Sequence, residues 1–175
     1  MDSQSGDGAY RSSLSIRFTR DGQQEATPRP RPLTDAERSV VDAAFAPVLR
    51  DLRAADAIVP EVRYEAWPDR GPESVSAFIA PAGRTVGSRG VWVELAASRA
   101  EQVARLAEQV QEWEVEELCA AGRSATWPEC PEHPNAHPLE PVVTDAGAAS
   151  WRCPRAGLAI CAIGELAGRR RGTAR

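Results

Sequence analysis

The chain contains no lysine: every basic side chain among its 21 Lys+Arg positions is arginine. Lysine Schiff bases, lysine-anchored phosphate loops and lysine general bases are therefore excluded. Histidine is scarce too, with two residues in 175. No apolar run approaches the roughly 18 residues that a membrane-crossing helix needs, which argues against a membrane partner. The opening segment Met1-Asp2-Ser3-Gln4-Ser5-Gly6-Asp7-Gly8 has neither the basic start nor the apolar stretch of a secretory signal. The expected address is the cytoplasm, where thiols stay reduced. There is no internal repeat and no glycine-rich phosphate loop.

Abundant Ala, Gly and Pro beside the missing lysine suggest a high-GC bacterial genome. The length suits one domain with a modest core, or a core with a small appended module. Net charge is −4, unevenly spread. Residues 34–121 carry 16 acidic side chains and 9 arginines, hence −7, whereas 169–175 carry four arginines and no acid. Such an acidic body is a poor surface for nonspecific nucleic-acid binding.

Residues 1–33 read as a flexible N-terminal segment. Within it Leu14, Ile16 and Phe18 alternate with polar neighbours as in a strand, and Asp21 to Pro32 forms an extended Pro/Arg linker. An α+β domain is expected over 34–122. Thr34-Asp35-Ala36-Glu37 fits a capping box, and Val40, Val41, Ala44, Val48, Leu49 and Leu52 form a helical stripe, predicting a helix over 35–56. Pro47 should kink it or divide it in two. Three strands follow in an antiparallel meander: Val59 to Trp67, Ser74 to Ala80 and Val91 to Leu95. A second capping box, Ser98-Arg99-Ala100-Glu101, opens a long helix to about Ala121. Val103, Leu106, Ala107, Val110, Trp113 and Leu118 face the core, Glu108, Glu112 and Glu116 face water, and Gly122 ends it.

From Ser124 the texture changes to Trp, Pro, Cys and His. Strands at Leu139 to Thr144, Ala148 to Arg152 and Leu158 to Ile163 are expected, with Asp145-Ala146-Gly147 turning the first hairpin. Both histidines lie within seven residues of Cys130, in Cys130-Pro131-Glu132-His133-Pro134-Asn135-Ala136-His137. Cys153 follows in Trp151-Arg152-Cys153-Pro154. Two cysteines and two histidines at such spacing make a tetrahedral zinc site, with Cys130, His133, His137 and Cys153 as ligands. In an oxidising compartment Cys119, Cys130, Cys153 and Cys161 would instead allow two disulfides.

The segment resembles the zinc-ribbon family, in which one knuckle precedes a hairpin and a second, beginning Cys-Pro, follows it. The resemblance covers about residues 126–164 and implies a small β module over 123–168, leaving 169–175 as a basic tail. In the family the second knuckle continues Cys-Pro-x-Cys-Gly; here it reads Cys153-Pro154-Arg155-Ala156-Gly157. Ala156 stands where the fourth ligand would be. His137 is the natural substitute, and Cys161 is the other candidate. The Trp-Pro-x-Cys-Pro-x-His, His-Pro-Leu-x-Pro and Trp-x-Cys-Pro runs are also similar to small uncharacterised proteins of high-GC bacteria, a likeness that implies no activity.

The fold expected is α+β: two main helices with a short antiparallel sheet, followed by the zinc-ribbon-like module. The zinc reads as structural. Glu132 is the only acid inside the knuckle, proline interrupts any helical His-Glu-x-x-His arrangement, and a module this small needs a staple. No catalytic set is expected, since using either histidine would dismantle the zinc site. Trp113, Trp127 and Trp151 read as core, while Trp92 lies opposite Val91 and Val93, either facing a partner or covered by a helix. The function expected is a noncatalytic protein-interaction or adaptor module with an unknown protein partner. Nucleic-acid binding through the ribbon and arginine tail is the alternative, and a zinc-dependent enzyme the third.

Overall fold

The computed structural model describes residues 17–18, 24–25, 31–66, 73–84 and 87–166. Leu14 and Ile16, residues 26–30 of the Pro/Arg stretch, Trp67 and the arginines of 169–175 lie outside the described residues. Short strands β1 (Arg17–Phe18) and β2 (Gln24–Glu25) pair antiparallel. Strand β3 (Arg31–Pro32) leads into the first helix, α1 (Asp35–Ala54).

The start of α1 is fixed by reciprocal capping. The Glu37 amide donates to the Thr34 hydroxyl at 3.3 Å, and the Thr34 amide donates to the Glu37 carboxylate at 2.8 Å. Arg31 also bonds Glu37, and that contact, with the Thr34 amide, holds the Glu37 carboxyl down at about 2. Of the two outcomes expected at Pro47, division does not occur: α1 is one helix through the proline, and it ends at Ala54, short of residue 56. Ala43, whose carbonyl loses its helical donor to Pro47, lies on the exposed side. Pro47 itself is half-buried beneath Gly164.

Strands β4 (Glu61–Arg63), β6 (Ser74–Ala80) and β7 (Arg89–Glu94) form the meander, in the order β4-β6-β7. The register runs from Ser74 opposite Glu94 to Ile79 opposite Arg89. The first strand of that expectation is interrupted at Tyr64. Its second piece, β5 (Glu65–Ala66), pairs with β3 instead, and the Tyr64 hydroxyl bonds Asp42 of α1.

Helix α2 (Arg99–Ala120) carries the second capping box, and a Schellman ending follows it. The Arg123 amide donates to the Leu118 carbonyl and the Gly122 amide to the Cys119 carbonyl, with Gly122 at φ 65°. This left-handed turn is where glycine is needed. Two buried glutamines seven positions apart lie along β7. Gln109 accepts from the Trp92 amide at 3.0 Å and donates to the Trp92 carbonyl at 2.9 Å, while Gln102 donates to the Glu94 carbonyl at 3.0 Å. The helix thus occupies the hydrogen-bonding edge that β7 would otherwise expose. Trp92, left half-buried, is held by its backbone.

The last sheet contains β8 (Glu140–Val143), β9 (Ala149–Arg152) and β10 (Ala159–Ala162), antiparallel in the order β10-β9-β8. Its core residues Trp127, Leu139, Trp151 and Ile163 join one hydrophobic cluster with Phe45, Leu52, Ile79, Leu106 and Trp113. A large side chain buried this way contributes about 1.5–3 kcal/mol. Asp51 of α1, fully buried, accepts from the Trp151 indole at 2.7 Å, the Gly164 amide at 2.7 Å and the Leu166 amide at 2.9 Å. Gly164 has φ 102°, and a Cβ there would meet Pro47 Cβ at 2.8 Å, so both conformation and space require glycine.

Glu114 on α2 is buried. One oxygen accepts from the Ile58 amide at 2.8 Å and the other has no partner among the described residues. Burial pushes its carboxyl up to about 7, against the pull of the Ile58 amide and Arg123 and with Glu117 adding repulsion. A carboxyl that binds its proton more tightly when folded stabilises the fold at low pH and ceases to as pH rises through the folded value. The stability contributed below about pH 4.5 should therefore decline between about pH 5 and 8. Thermal melts of Glu114→Gln should lack that decline while melting as well as the parent or better at pH 8.

Candidate metal centre

Two backbone segments converge on the Cys/His cluster. The first is the loop after α2, whose ends are held together like the neck of a pouch. The Leu139 amide donates to the Pro128 carbonyl at 2.8 Å, Glu129 bridges Pro138, and the Gln111 amide of α2 donates to the carbonyls of both Trp127 (2.9 Å) and Leu139 (2.7 Å). Inside the pouch the His133 amide donates to the Cys130 carbonyl, a turn that aims both side chains the same way. Asn135 takes φ 60°, and its amide donates to the Glu129 carboxylate at 2.9 Å. The second segment is the tight turn between β9 and β10. There the Gly157 amide returns to the Cys153 carbonyl at 2.8 Å and the Cys153 amide donates to the Leu158 carbonyl at 2.9 Å.

These segments bring Cys130, His133, His137 and Cys153 together with their donor atoms all within 4.8 Å of one another. Cys130 Sγ lies 3.6 Å from His133 Nδ1. Cys153 Sγ lies 3.5 Å from His133 Nδ1 and 3.7 Å from His137 Nε2. Zinc–sulfur and zinc–nitrogen bonds of about 2.3 and 2.0–2.1 Å, set at tetrahedral angles, separate S from N by about 3.6 Å. The three distances therefore match the edges of a zinc tetrahedron. Two thiols and two imidazoles are also the donor set such a geometry favours. The four residues can hold a metal ion.

The surroundings suit that role. Both sulfurs are fully buried, and Trp127 and Trp151 pack edge to face with ring centroids 5.5 Å apart. His137 Nδ1 lies 2.8 Å from the Pro138 carbonyl. A carbonyl only accepts, so Nδ1 carries the proton and Nε2 presents its lone pair to the cluster. The Ala156 amide donates to Cys153 Sγ at 3.3 Å. Ala156 offers no side-chain ligand, yet its backbone N–H would stabilise negative charge on the Cys153 sulfur.

Cys161 is not part of the cluster. It is half-buried on β10 opposite Trp151, and burial, with Asp51 and Glu165, raises its thiol above the usual range. Cys119 is exposed on α2. All four cysteines are free thiols. Glu132 is exposed, and the nearby Glu129 carboxylate is engaged by the Asn135 amide. Sequence reasoning missed the supports Gln111, Pro138 and the Ala156 amide, because a backbone donor carries no residue signature and one glutamine on a helix flank resembles any other.

Comparison with protein-family models, curated proteins and solved structures finds no match.

Titration with cobalt(II), whose visible absorption reports a tetrahedral thiolate site, should distinguish the thiols. Cys130→Ser and Cys153→Ser should weaken binding by about 100-fold or more, beyond the 10–100-fold typical of losing a supporting contact. Cys119→Ser and Cys161→Ser should bind as the parent does. Loss of the cobalt spectrum in Cys161→Ser would remove His137 from the ligand set.

Proposed function

We propose that this protein is a noncatalytic, zinc-stabilised protein-interaction or adaptor module. Its zinc is structural and held by Cys130, His133, His137 and Cys153. Residues 123–168 are the zinc-held, ribbon-like unit appended to the α+β body of 34–122. The observation that carries this reading is the convergence of four thiol and imidazole donors within 4.8 Å of one another, from two loops joined only through a hairpin.

Four protein donors complete a tetrahedron, whereas a catalytic zinc keeps a position for water or substrate and needs a base beside it. The exposed Glu132 and the engaged Glu129 make poor bases for that purpose. When bound, the ion would supply cross-linking rather than Lewis acidity. Cys130 and Cys153 would neutralise its charge, and the Pro138 carbonyl and Ala156 amide would orient and stabilise ligands. Free thiols fit a reducing cytoplasmic compartment. No described helix is long and apolar enough to cross a membrane. A net charge of −7 over residues 34–121 disfavours nucleic acid as the partner.

Protein purified without a polyhistidine tag should contain about one zinc per chain. Chelation should lower amide protection most from Trp127 to Ile163 and least over Val103 to Leu118, because the three four-residue strands lean on the staple although their core is continuous with that of the capped helix. Nucleic-acid retention at near-physiological salt should be weak and unaffected by removing 169–175. A folded protein without metal would overturn the zinc reading, and tight binding lost on truncation would favour the nucleic-acid one.

A further inference from the structure

We propose that the groove between the first half of α2 and strand β8 is the docking site for a basic, extended segment of a partner protein. The inference rests on the interaction reading above and gives it a surface and a partner chemistry. The groove encloses about 440 Å³. Pro141, Val142 and Val143 form one apolar wall, and small side chains of α2 and the preceding turn line the other. Its charged lining consists of Glu94, Glu101 and Glu108 against Arg105 alone, three negative charges to one positive, hence −2.

Part of the exposed apolar surface lies at the groove, while Leu158, the most exposed at 64%, lies on the turn before β10. Among the described residues three large hydrophobic side chains are exposed: Leu95, Val143 and Leu158. Val143 lines the groove, and Leu95 sits between the lining residues Glu94 and Ala96. Exposed apolar groups gathered around a polar-rimmed groove mark an interaction site more than scattered ones do. The carboxylates are unequally free. Glu101 is committed to the Ser98 amide at 2.8 Å, and Arg105 pairs with Glu108 at 3.5 Å across the surface. Glu94 makes no ion pair among the described residues and Glu108 makes only that exposed one, so these two offer charge to a ligand.

The occupant's shape follows from topology. Strand β8 is the outer strand of the order β10-β9-β8, with a strand neighbour on one side only. Such an edge accepts an added strand, while the wall beside it selects alternate side chains. Pro141 has no backbone N–H to offer an added strand, so the partner segment would have to supply the donors. An extended segment alternating arginine with small apolar residues satisfies edge, wall and rim together. A phosphate-bearing ligand would meet three carboxylates.

The test uses full-length, zinc-loaded protein and a fluorescent peptide of about eight residues, one strand in length, alternating arginine and valine. A glutamate–valine peptide serves as the control. Anisotropy at about 0.15 M salt, where distant charges are screened, should show binding of the first peptide only. Amide shifts should map to Glu94 to Glu108 and to Val142 and Val143. Glu94→Gln/Glu108→Gln should weaken binding about tenfold, and Val143→Ser should weaken it independently, both with unchanged zinc content. No binding, binding indifferent to both variants, or shifts elsewhere would overturn the proposal. If removing 167–175 moves the same amides and tightens the peptide, the chain's own arginine tail is the occupant and the partner assignment falls. Zinc loss in the parent protein would count against the metal reading alone, and retention of a host partner by the groove variants would overturn the groove while leaving the interaction reading standing.

Discussion

One buried side chain fixes how the last third of the chain meets the first. Asp51 lies on the inner face of α1 with no exposure, and its two oxygens gather the Trp151 indole and the amides of Gly164 and Leu166. A buried carboxyl group must be surrounded by donors, so the position of β9 and the path after β10 follow from it. The contact also brings Gly164 against Pro47, where only glycine fits, and lets Arg50 reach the Gly164 carbonyl at 3.3 Å. Removing the carboxyl would leave three N–H groups unpaired, each costing about 1–3 kcal/mol if it stays buried.

The Cys/His cluster hangs from that frame. Trp151 is held by Asp51 and packs on Trp127, and two residues beyond it Cys153 enters the cluster. On the other side, Gln111 of α2 clasps the carbonyls that flank the Cys130–His137 loop. Each ligand segment is thus tied to a different helix of the body. Four donors meet within 4.8 Å of one another where segments tied to two packed helices converge.

Much of this was legible in the sequence where a local rule decides the outcome. The capping boxes at Thr34 and Ser98, the glycine stop at Gly122 and the strand at Ser74 to Ala80 depend on neighbours a few residues apart, and each is found where expected. The four cluster residues were legible for the same reason: three lie within one short run, and the fourth begins with the same Cys-Pro pair. The polar fastenings were not legible. Asp51, Gln102, Gln109 and Glu114 occupy the buried faces of helices, where a periodicity reading puts only apolar residues, and their partners lie far away in sequence. At Pro47 the local rule left a kink or a break open, and the helix is unbroken, with the proline packed against Gly164. Tyr64 likewise leaves the expected first strand for a bond to Asp42 of α1.

If the proposed function holds, this cluster is a closed zinc site with two sulfur and two nitrogen ligands. X-ray absorption at the zinc edge, on protein purified without added metal, reads the ligand set directly. Two sulfurs at about 2.3 Å and two imidazole nitrogens at about 2.0–2.1 Å are expected, with no further light ligand. A shell of nitrogen and oxygen only, or three protein ligands with a bound water, would contradict it.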